Sequence, residues 1–115
     1  MSTRIDMMRH GDAARYAPYA RRLLIEAIEG CGIRHWAHVE SWDGVSVAVI
    51  SDLGEETFEL TTVNVVPFLA AYADRHGDWE PMEIDSYLAD ELIQEALFGG
   101  VIYRTQVRRR PVLVA

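Results

Sequence analysis

The sequence predicts an α+β domain: a mainly antiparallel sheet of about four strands with three helices, in the order α-β-β-β-α-α-β. Three observations carry this. Apolar residues recur at helical spacing over 20–31 and again over 88–97. An Asp43-Gly44 pair divides two runs rich in β-branched and aromatic residues. The candidate strands also follow one another instead of alternating with helices.

In the first helix, Ala20, Leu23, Leu24, Ala27, Ile28 and Cys31 form an apolar stripe opposite Arg21, Arg22, Glu26 and Glu29. Pro18 has no N–H for a helical turn, which places the start between residues 13 and 18. Gly30 and Gly32 supply the stop, and Cys31 between them reads as a small buried filler.

Residues 33–42 and 45–51 then read as a hairpin. Asp-Gly suits a two-residue type I′ turn, which sets Trp42 opposite Val45, Glu40 opposite Val47, His38 opposite Val49 and Trp36 opposite Ser51. In that register both faces are apolar, so helices cover both or one is a contact surface, with at least one of Trp36 and Trp42 in the core. A turn around Gly54 leads to a third strand over 57–62. Asn64 is the expected N-cap of a largely buried second helix, with Pro67 in its first turn and a stop at His76-Gly77.

Asp85 or Ser86 caps the third helix. Its apolar face is Leu88, Ala89, Leu92, Ile93, Ala96 and Leu97, and its polar face Asp90, Glu91, Gln94 and Glu95. Gly99-Gly100 ends it, and residues 101–107 read as a last strand. The whole chain, 1–115, reads as one domain, with 1–12 and 108–115 as arms.

The 115 residues carry a net charge of −7, unevenly spread. Residues 1–39 hold +2, residues 40–100 hold −13 and residues 101–115 hold +4. All the basic side chains are arginine. So negative a middle repels nucleic acid and anionic lipid and favours a basic partner. The other reading is a solvated surface against which the Arg-bearing ends fold back. One cysteine, no long apolar run and no apolar leader give the expectation of a cytoplasmic protein with no membrane contact.

Motifs for chemistry are weak. His35 and His38 stand three apart, on opposite faces of a regular strand, so a shared metal ion is not expected. Cys31 has no neighbouring base, no nucleophile elbow or phosphate-cradling loop is present, and the carboxylate pairs lie in polar loops. The last two helices are too far apart for a helix-turn-helix. Neither an enzyme nor a cofactor is expected.

The segment Ala89-Asp90-Glu91-Leu92-Ile93-Gln94-Glu95-Ala96-Leu97-Phe98-Gly99-Gly100-Val101-Ile102-Tyr103 resembles the C-terminal part of small acidic uncharacterised proteins of high-GC actinobacteria and their phages. Those share a helix ending in Ala-Leu-Phe-Gly, then a short apolar strand with Tyr. Gly100 and the Arg-rich extension depart from that pattern. The resemblance implies a phage or mobile-element accessory protein and transfers no functional residue.

The leading expectation is a non-enzymatic protein whose acidic 52–95 region docks on a basic surface of a host protein, in its sharpest form a DNA mimic. Glu55, Glu56, Asp90, Glu91 and Glu95 would form that face, and Trp79 an aromatic anchor. The alternatives are a homo-oligomeric structural protein (a homodimer burying one hairpin face) and a small metal-binding domain or enzyme.

Overall fold

The computed structural model describes residues 10–77 and 79–103. Its elements are α1 (His10–Ile28), β1 (Ala37–Trp42), β2 (Val47–Asp52), β3 (Thr57–Thr61), α2 (Val66–His76) and α3 (Ser86–Phe98), with a short 3-10 turn at Pro81–Glu83 before α3. The fold is α+β; among the described residues it has three helices and one antiparallel sheet in the order β1-β2-β3. The expected fourth strand does not form over residues 101–103; 104–107 lie outside the described residues, as do 1–9 and 108–115.

α1 begins earlier than expected, so residues 10–12 are helical and Pro18 lies inside the helix. An interior proline costs about 3 kcal/mol. The buried stripe of Tyr16, Ala20, Leu23, Leu24 and Ala27 outweighs that, at roughly 1.5–3 kcal/mol for each large side chain. The positive φ after α1 falls on Cys31 (66°) and on neither glycine. Gly32 instead permits close approach: a Cβ there would stand 2.5 Å from the Ser86 carbonyl oxygen. Cys31 is exposed, not a buried filler.

The hairpin forms where Asp43-Gly44 placed it, but in another register. Trp42 faces Ala48, Ser41 faces Val49, Val39 faces Ile50 and His38 faces Ser51. Two local features cause the shift. Gly44 has positive φ while Asp43 does not, so the turn is not type I′. Asp43 Oδ1 instead accepts from the backbone N–H of Val45, Ser46 and Val47, winding a longer loop around one carboxylate. Those donors hold the Asp43 carboxyl far below the usual carboxylate range. Further along, Glu40 is the extra residue of a β-bulge between Val39 and Ser41.

The bulge returns Trp42 to the same face as Ala37 and Val39. That face, with Ala48, Ile50 and Leu60, packs into the core beneath the helices. The opposite face is not the apolar surface expected. It holds exposed His38, Ser41, Thr57 and Glu59 around half-buried Val47 and Val49.

The β2–β3 turn places Glu55, not Gly54, at positive φ (69°). A Cβ costs roughly 1–2 kcal/mol in that region, partly offset by the entropy glycine loses on folding. Glu55→Gly is therefore expected to raise stability by about 0.5–1 kcal/mol in thermal unfolding; a lower melting temperature would contradict it.

α2 has no side-chain cap. Asn64 serves the end of β3 instead, accepting from Thr61 N–H and donating to the Glu59 carbonyl. Only Val66 and Leu69 of α2 are fully buried, fewer than expected. Asp85 caps α3 by accepting from Leu88 N–H (2.8 Å), and Gly99 ends it in the left-handed region. The polar face expected for α3 is divided. Glu95 is exposed, whereas Asp90 and Gln94 are buried with Ala89, Leu92 and Ile93.

Candidate functional site

Asp90 and Gln94 are one helical turn apart on α3, so their side chains meet. Asp90 is 3% exposed, and a bare carboxylate there would be costly. Three donors satisfy it. Trp36 Nε1 donates to Oδ1 at 2.7 Å, Gln94 Nε2 to Oδ1 at 2.9 Å, and His35 Nε2 lies 2.9 Å from Oδ2.

Gln94 extends this hub into the C-terminal segment. Its Oε1 accepts from Ile102 and Tyr103 N–H, and its Nε2 also donates to the Tyr103 carbonyl. One side-chain amide thus meets the backbone groups that a neighbouring strand was expected to meet. Above it, Tyr103 stacks on Trp36, with centroids 5.3 Å apart and planes 6° from parallel, and Phe98 meets both edge-on. The Tyr103 hydroxyl bonds to Asp52; partial burial first, then the Asp52 charge, pushes its pKa up.

On the His35 side the surface dips into a pocket of ≈ 340 Å³, lined by Arg34, His35, Trp36, His38, Val39 and Leu53 among others. None of the lining residues is acidic. Both histidines reach one pocket because β1 begins only at Ala37, which leaves His35 in the preceding turn and outside the strand alternation. Among the described residues no group of three or more His, Cys, Asp or Glu is placed to hold a metal ion.

The residues singled out from the sequence are not brought together. Glu55 and Glu56 are exposed in the β2–β3 turn. Asp90 belongs to the buried hub, so it does not contribute to an exposed acidic face. Glu91 is half-buried, and Glu95 is exposed beside Arg75 at 3.5 Å. Trp79 is a half-buried plug, not a free anchor. Its ring meets Tyr19 and Tyr72, and its carbonyl accepts the Tyr19 hydroxyl.

Sequence reasoning missed Arg34, His35, His38 and Gln94 as a group. The available signals were the polar pair spaced i, i+4 on α3 and the two histidines flanking a tryptophan. The chain matches no family model, no curated protein and no solved structure. Among the described residues no helix is long and apolar enough to cross a membrane.

Proposed function

We propose that this protein is a non-enzymatic interaction protein whose solvent-facing sheet surface binds a basic surface on a protein partner. One observation carries the reading: residues 37–65, the sheet and its turns, contain six acidic side chains and neither Lys nor Arg. Glu40 and Glu59 flank the open face, and Glu55 and Glu56 stand at one end of it. Val47 and Val49 lie between them as a narrow apolar strip. Carboxylates around an apolar strip favour a cationic partner and disfavour nucleic acid. They also disfavour self-association through this face, because two copies would set like charges against each other.

An exposed ion pair contributes only about 0.2–1 kcal/mol, so no single carboxylate decides binding. The test is capture of partners from a lysate of the source cells at low and high salt, comparing the wild type with Glu55→Lys/Glu56→Lys/Glu59→Lys. A basic protein retained at low salt, released at high salt and lost with the triple variant is the expected result. A partner retained equally by the triple variant would overturn the reading.

A further inference from the structure

The pocket beside the buried Asp90 hub contrasts with the acidic 40–100 region. In a chain of net charge −7, three of its lining residues are Arg34, His35 and His38, and among the described residues none that lines it is acidic. Arg34 and His38 have no ion pair or side-chain hydrogen bond among the described residues, although acids elsewhere hold Arg22 and Arg75. The Arg34 guanidinium and the exposed His38 imidazole therefore stand at one concavity without a side-chain partner among the described residues.

His35 is different. Its Nε2 is committed to Asp90, which fixes the ring and leaves Nδ1 as its free nitrogen. Asp90 is 3% exposed and does not line the pocket; its carboxylate is held from within the fold by Trp36, Gln94 and His35. The apolar part of the lining is Trp36, Ala37, Val39 and Leu53, of which Leu53 alone is exposed.

We propose that this pocket binds a small organic anion, a carboxylate or a phosphate monoester, whose charged oxygens meet Arg34, His38 and His35 and whose apolar body lies on Leu53. The guanidinium offers a fork of donors matched to either anion. Protonated His35 gives its Nδ1–H to the ligand while Nε2–H stays on Asp90. The charged group in direct contact with His35 is Asp90 from α3.

The test is NMR titration of the full chain with benzoate, phenyl phosphate, inorganic phosphate and, as a neutral control, benzyl alcohol. Saturable shifts at Arg34, His35, His38 and Leu53 with benzoate or phenyl phosphate, absent with benzyl alcohol, support the proposal. Which of the two binds more tightly identifies the anion class, and inorganic phosphate reports the share of the apolar body. Arg34→Gln removes an exposed, unpaired side chain and leaves the fold intact. It is expected to weaken binding about tenfold or more, the worth of a charge-assisted hydrogen bond. No saturable shift with either organic anion, equal shifts with benzyl alcohol, or unchanged affinity in Arg34→Gln would overturn it.

Discussion

Replacing Asp90 by alanine is expected to destabilise the protein by about 3–5 kcal/mol, the range for removing one partner from a buried charged network. The loss comes from what remains. Trp36 Nε1 lies in the core, and among the described residues its partner is Asp90 Oδ1 alone. Gln94 keeps the Tyr103 carbonyl but loses its contact within α3. A total stability of roughly 5–15 kcal/mol would be largely consumed. Asp90→Asn retains an oxygen for Trp36 and Gln94 and is expected to cost less, about 1–2 kcal/mol. Urea unfolding followed by tryptophan fluorescence measures both. An alanine variant within 1 kcal/mol of the wild type, by roughly the error of such comparisons, would show that the hub adds little to stability.

Gly32→Ala is the second large effect, and its cause is steric. The new methyl would lie 2.5 Å from the Ser86 carbonyl oxygen and 3.2 Å from that of Glu26. Both are backbone atoms, so neither can swing aside, and relief requires α1 and the start of α3 to move apart. Overpacking of this kind costs about 1–3 kcal/mol and occasionally more. In a domain of this size that lowers the melting temperature by roughly 4–8 °C per kcal/mol. Gly44→Ala is the comparison. Gly44 has positive φ but nothing within 4 Å, so only local backbone strain opposes the methyl there. Calorimetry is expected to rank Gly32→Ala as the more damaging, and the reverse order would show that the two helices yield easily.

The element order from α1 to α3 was legible because it depends on local signals: helical spacing over 20–28 and 88–97, glycine stops, and Asp43-Gly44 between strand-forming runs. The hairpin register was not. It depends on Asp43 collecting three amides and on an extra residue at Glu40, and an Asp-Gly pair alone reveals neither. The candidate site was hidden for a related reason. Spacing alone assigns Asp90 and Gln94 to the wet side of α3. Their burial is decided by Trp36, 54 residues from Asp90, and by residues 102 and 103. Placing His35 in the strand likewise set it on the wrong side of His38. Interactions between distant parts of the chain leave no periodic mark on the sequence.

The bulge at Glu40 also has a consequence for how the chain behaves when crowded. Among the described residues β1 is an edge of the sheet, and a straight edge offers its free N–H and C=O groups as a template for copying. An unpaired residue in that strand breaks the even spacing of those groups and increases the local twist. A regular strand from another chain laid along β1 would fall out of step at Glu40. The feature that turns Trp42 inward thereby guards this edge against strand-by-strand aggregation.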